Sequence, residues 1–276
     1  MRFIQRVFDF YIFSNIHVAL ATFCLTKITL LAFGNRSNEA SVFVFFATIV
    51  GYNFIRFYRK QSIALWFSKW MDANKKGVGL LSIVSVIAMV ITAFSLRKAA
   101  LVSLIPFGLF TIFYVVPFSH FTNSNKSLRT LGGIKIFLIA FSWAGVTVLF
   151  PLVDYNMPVT ADALVLFLQR FLFVLVITIP FDIRDLNYDI DSLKTLPQVL
   201  GVEKVKKLGL FLLMLFLGLN FLKSTVDHTQ FRIELIVAVI SLFFLTKSEV
   251  NQSNYYSAFF VECIPIIWWL LIWGYY

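Results

Sequence analysis

FDIRDLNYDIDSLKTLPQVLG, residues 181–201, sets four aspartates within ten positions of a chain that holds fourteen acidic residues in all. The sequence on either side is almost purely apolar for long distances. Like charges gain nothing from lying beside hydrocarbon unless positive groups hold them there. On a helix advancing 100° per residue, with Asp182 at zero, Asp185 falls at about 300° and Asp189 at about 340°. Three carboxylates therefore share one face, with Thr178 a turn earlier on the same side. Asp191 points away and is assigned to the following loop.

Oxygen ligands at i, i+3 and i+7 suit Mg2+, which keeps several waters and completes its shell with substrate phosphate. The alternative from spacing alone is a solvated acidic helix end.

Composition bounds the rest. Hydrophobic residues make up 59% of the 276, and mean hydropathy is +0.84, well above a soluble domain. Apolar runs of spanning length recur, which predicts an all-α polytopic membrane bundle. Nine spans are expected, near Val7–Phe33, Ser41–Phe57, Val78–Leu96, Ala99–Val116, Leu131–Phe150, Ala163–Pro180, Leu208–Leu222, Phe231–Leu245 and Phe259–Trp273. The third and fourth are joined so tightly at 97–98 that they can trade residues. Arg2 and Arg6 precede the first run as in a signal peptide, but Asp9, Asn15 and His17 interrupt it, so an uncleaved span is expected.

Seventeen lysines and arginines fall on segments of one parity and five on the other. That bias puts the amino terminus, residues 56–76 and residues 181–207 in the cytoplasm. The net charge of +10 is read as this orientation signal, and no nucleic-acid partner is expected. Cys24 and Cys263 stand alone in the first and last runs and read as small buried hydrophobes.

The 181–201 stretch, including the trailing Lys194-Thr195-Leu196 and Leu200-Gly201, resembles the second aspartate-rich motif of the UbiA superfamily of intramembrane prenyltransferases. Residues 114–151, YVVPFSHFTNSNKSLRTLGGIKIFLIAFSWAGVTVLFP, look like that family's middle section, a Tyr…Pro helix end followed by a basic loop and a span. The resemblance runs over essentially the whole chain and implies a single domain, residues 1–276, of about nine helices around a central cavity. It also implies transfer of a prenyl group from a prenyl diphosphate to a lipid-soluble, commonly aromatic, acceptor. Mg2+ held at Asp182, Asp185 and Asp189 would neutralise the leaving diphosphate. On the same grounds Asn53, Arg56, Lys60, Lys126, Arg129 and Lys194 are expected to face the diphosphate. The implied setting is a multi-pass protein of the membrane, the inner membrane if the source is bacterial.

Two departures stand out. Where the family has a polar residue four before Asp185, this chain has Phe181, and Asp182 lies near enough on the face to substitute. The first motif, N-x-x-x-D-x-x-x-D in the family, reads here as Asn53 followed by Phe57 and Gln61. The face that should carry carboxylates carries Arg56 and Lys60 instead. Those cations either bind diphosphate directly in place of one Mg2+, or pair with the three aspartates and close the site, or lie in the positive-inside belt. Lys27, Arg170, Glu234 and Glu262 are costly in lipid and should face protein, a cavity or an interface, with Lys27 and Glu262 a possible pair. His17 and Asn15 read as hydrogen-bonded structural groups, and Glu249 as solvated. Three functions follow: a prenyltransferase, a non-catalytic relative binding an isoprenoid or a protein, and more remotely a transporter, for which no inverted repeat is visible.

Overall fold

The computed structural model describes residues 2–58, 65–116, 128, 133–189 and 193–275, and within these every regular element is helical. Among the described residues eight helices are long and apolar enough to cross a membrane, or nine with the bent pair α1 (Arg2–Phe13) and α2 (Ile16–Ala32) counted as one span. The chain is thus a polytopic helical bundle, as its hydropathy predicts. The others are α3 (Glu39–Tyr58), α4 (Leu65–Ala93), the pair α5 (Lys98–Ser103) and α6 (Ile105–Val115), α7 (Lys135–Ala144) running on into α8 (Phe150–Asp154), α9 (Ala161–Arg184), α11 (Val202–Gly218), α12 (His228–Lys247) and α13 (Ile264–Trp273). A short α10 (Leu196–Leu200) precedes α11.

Proline and glycine explain where these spans depart from simple helices. Pro106 cannot donate to the carbonyl of Val102, and the chain breaks at Leu104 between α5 and α6. Two wider π-turns occur, at Gly145–Leu149 and Tyr256–Val261, and each is followed by a proline, Pro151 and Pro265. Losing the proline N–H frees a carbonyl one turn back, which favours such local rewinding. Gly145 also admits a neighbour: a Cβ there would lie 1.9 Å from the ring of Phe107.

The expected first span, Val7–Phe33, is not one rod. It bends by 52° at Ser14–Asn15, where Asn15 takes a left-handed φ of 75°. Asparagine tolerates that conformation better than most side chains. α1 exposes Phe3, Ile4, Val7 and Phe8, while Phe10 and Phe13 pack on Trp66, Phe67 and Trp70 of α4.

At the centre is α9. It packs against α7, α11 and α12, and its apolar residues Phe173, Val174, Val176, Ile179 and Ile183 sit in the main core with Phe216 and Trp268. α4 is the most lipid-facing span, with 11% of its apolar window buried against 61% for α9. Polar contacts mark the two ends of this bundle. At one end Arg97 donates its backbone N–H to the buried Asp154, and at the surface Tyr155 donates to Glu39 and Ser224 to Asp162. The other end holds the carboxy terminus of α9 and the amino terminus of α7.

Candidate functional site

α9 delivers the aspartate motif, and its last turn is shaped by Pro180. The proline's carbonyl accepts from Gln252 Nε2 at 3.0 Å, and the helix stops at Arg184. A three-residue 3-10 turn, Asp185–Asn187, follows. The shared face expected for the three carboxylates requires α-helix as far as residue 189, so it ends with the helix. A single further turn, closed by the Asp189 N–H donating to the Asp185 carbonyl at 2.8 Å, brings Asp189 back towards Asp182 beyond the helix end. The trailing Thr195-Leu196-Pro197-Gln198 then fixes it. Gln198 accepts from the Thr195 N–H at 2.8 Å and donates to the Asp189 carbonyl at 3.1 Å. The amide that caps α10 thus also holds the backbone of the last motif aspartate.

Into this corner comes Lys135, the first residue of α7. Its Nζ lies 2.7 Å from Asp182 Oδ1 and 3.1 Å from Asp189 Oδ2. Lys135 is 9% exposed, Asp182 1% and Asp189 8%. A cation at a helix amino terminus opposes the helix dipole, and carboxylates at the carboxy end of α9 oppose it too. Helix physics alone disfavours all three positions, and the ion pairs compensate. The approach is set by Gly133, at a φ of 79°, whose N–H donates to the Leu193 carbonyl at 3.0 Å.

Asp185 is turned elsewhere. Arg184 grips it through Nε at 2.8 Å and Nη2 at 3.2 Å, and the guanidinium lies 5.3 Å from the ring centre of Phe181. Phe181, in the position where the resemblance expects a polar side chain, serves as the face on which Arg184 rests. Glu262 is half-buried just after the π-turn Tyr256–Val261. Its expected partner Lys27 is bound at the far end of α2, donating to the carbonyls of Arg36 and Ser37 at 2.9 and 2.7 Å.

The first motif is committed to structure. Asn53 accepts from Asn15 at 2.6 Å and donates to Ser82 at 3.0 Å. Arg56 donates to the carbonyl of Phe13, the last residue of α1, with its guanidinium 4.8 Å from the centre of the Phe67 ring. The reading in which Arg56 pairs with the aspartates is corrected accordingly: among the described residues their ion-pair partners are Lys135 and Arg184. Lys60, Gln61, Lys126, Arg129 and Asp191 lie outside the described residues. Lys194 is exposed, at a left-handed φ of 44°.

The donor set does not fit Mg2+ as arranged. An ammonium sits between Asp182 and Asp189, Asp185 faces a guanidinium, and among the described residues no group of three acidic, histidine or cysteine side chains converges. A magnesium ion asks for near-octahedral oxygen ligands at about 2.0–2.1 Å.

The remaining intramembrane charges face protein, as their cost demands. Arg170 donates to the Leu25 carbonyl at 2.8 Å and lies against Trp268. Glu234 accepts from Asn220, Gln169 and Gln230 at 2.5, 3.3 and 2.9 Å. His17 is held between the Tyr11 hydroxyl at 2.7 Å and the Phe259 carbonyl at 3.0 Å. Both cysteines are free, and Glu249 is exposed.

Sequence reasoning missed Lys135 and Arg184 as partners, having counted both only toward topology. The signal for Lys135 was its place at the start of a span, against the helix dipole. For Arg184 it was adjacency to Asp185. Compared with protein-family models, curated proteins and solved structures, the chain gives no match.

Proposed function

We propose that this chain is an intramembrane prenyltransferase of UbiA type, moving a prenyl group from a prenyl diphosphate to a lipid-soluble, aromatic acceptor. The observation that carries the reading is the buried triad of Lys135, Asp182 and Asp189, with the half-buried pair of Arg184 and Asp185 beside it, at one end of the bundle. Ionisable groups at such a position are costly and are kept where they act on a ligand. Lys135 spends two of its three N–H groups on carboxylates and Arg184 two of its five. The rest are free to meet phosphate oxygens. In the reaction the allylic carbon–oxygen bond breaks with its electron pair on the diphosphate. The acceptor carbon bonds to the allylic carbon and its proton passes to the released diphosphate. The aromatic side chains Tyr52 and Trp143, hydrogen-bonded at 3.1 Å, would help keep water from the allylic cation.

Further support comes from sequence: residues 59–64 and 117–132 add Arg59, Lys60, Lys126 and Arg129 and no acidic residue. With the amino terminus cytoplasmic, as the lysine and arginine bias indicates, this end of the bundle would face the aqueous compartment from which a charged diphosphate arrives.

One observation favours a second reading, a non-catalytic relative: every described carboxylate of the motif already has a cationic partner. The two are separated by incubating the purified chain with radiolabelled farnesyl diphosphate and lipid extract from cells lacking the gene. A new prenylated lipid, absent when Asp182→Asn replaces the native chain, supports the transferase. No product, and no product missing from the deletion strain's lipids, leaves the non-catalytic reading.

A further inference from the structure

We propose that Lys135 is a built-in replacement for a metal ion: its ammonium holds Asp182 and Asp189 together, and this site works without a divalent cation. The proposal rests on the reading that a prenyl diphosphate is bound at this end of the bundle.

Four features carry it. The ammonium lies at hydrogen-bond distance from two different carboxylates, 2.7 and 3.1 Å, the place a bridging cation would take. The three side chains are buried and the ammonium already occupies the position between the two carboxylates, so a metal ion there would have to displace it. The third aspartate is withdrawn, since Arg184 holds Asp185 by two N–H groups. And the opposing motif supplies no carboxylate at residue 57, a phenylalanine, while Asn53 spends its amide on Asn15 and Ser82. A metal here would find two carboxylates already neutralised in part by a fixed positive charge, and adding +2 beside that ammonium is repulsive. Phosphate oxygens, in contrast, are met by N–H donors that carry their charge permanently.

Removing the ammonium reverses the logic. Asp182 and Asp189 would then lose the cation that bridges them, and two neighbouring carboxylates without that bridge recruit a divalent ion. A lysine-to-alanine change is therefore expected to create a metal site that the native chain lacks.

The test uses the purified full chain in lipid nanodiscs. Mn2+ binding is followed by electron paramagnetic resonance, thermal unfolding is measured in EDTA and in Mg2+, and farnesyl thiolodiphosphate is titrated by calorimetry under both conditions. Expected for the native chain are no stoichiometric Mn2+, the same unfolding temperature in both media, and an analogue affinity that changes less than threefold. Lys135→Ala is expected to unfold at lower temperature, to bind one Mn2+, and to regain part of the lost temperature in Mg2+. Stoichiometric Mn2+ on the native chain that Asp182→Asn removes overturns the proposal, as does an analogue affinity rising more than tenfold with Mg2+. If Lys135→Ala does not fold, Lys135→Gln takes its place, and the native-chain measurements decide regardless. Failure of the analogue to bind in either medium counts against the prenyl diphosphate reading itself, while the Mn2+ result still decides the role of Lys135.

Discussion

Asn15 and Asn53 are joined by a hydrogen bond of 2.6 Å between their side-chain amides, and this ties the bend of the first span to the end of α3. Asn15 needs its left-handed backbone to turn the chain, and Asn53 needs a partner because it is 1% exposed. Asn15→Gly keeps the turn and loses the bond, and is expected to cost about 1–3 kcal/mol for the buried amide left behind. Asn15→Ala adds the left-handed penalty of about 1–2 kcal/mol. Denaturant unfolding of both variants checks the ordering, and equal losses would show that the backbone conformation carries no strain of its own.

The three motif aspartates are expected to separate into two classes. Asp182→Ala and Asp189→Ala each strip a buried carboxylate from Lys135, and breaking such a pair costs about 3–5 kcal/mol. Asp185→Ala touches a pair whose side chains are 24% and 29% exposed, which limits its stability cost to below about 1 kcal/mol. Thermal unfolding of the three single variants reads this directly. A common loss across all three would restore the single helical face that the spacing suggested.

Much of this fold was legible because bilayer length and hydropathy dictate it: α3, α9 and α12 follow their apolar runs within a few residues. The breaks were less so. The Ser14–Asn15 bend depends on Asn53, thirty-eight residues away, and no local pattern encodes that partner. At the site, the cluster of aspartates was visible but its geometry was not, because the helix ends at Arg184 and Asp189 is placed by Gln198 from the next helix. Lys135 lies forty-seven residues before Asp182. As a lysine at a membrane boundary it carried a topological meaning that hid its structural one.

Gly145 and Phe107 form a lock between α6 and the π-turn after α7. A methyl group at 145 would sit 1.9 Å from Phe107 Cζ and 2.1 Å from Cε1. Gly145→Ala should therefore destabilise by about 1–3 kcal/mol, the usual range for overpacking. Phe107→Leu alone leaves a cavity and also destabilises. Together they should recover part of the loss, with a coupling above about 0.5 kcal/mol. Strictly additive losses would place the strain of Gly145→Ala in the π-turn backbone instead of in the contact.

Orientation is the most direct check on the prenyl diphosphate reading, since a charged diphosphate reaches the Lys135 end from one side of the membrane only. Residues 151–162 carry no lysine or arginine, whereas Lys69, Lys75 and Lys76 open α4. In a chain with Cys24 and Cys263 replaced by alanine, single cysteines are placed at three exposed positions: Lys75→Cys, Val159→Cys and Glu203→Cys. An impermeant maleimide applied to intact cells should label Val159→Cys alone. After permeabilisation it should label all three. Lys75 and Glu203 flank the Lys135 end through α4 and α11, so their protection in intact cells places that end in the cytoplasm, where the charge bias of seventeen against five puts it. Labelling of Lys75→Cys and Glu203→Cys from outside, with Val159→Cys protected, would turn the site away from the compartment that supplies its substrate and remove the basis for the transferase reading.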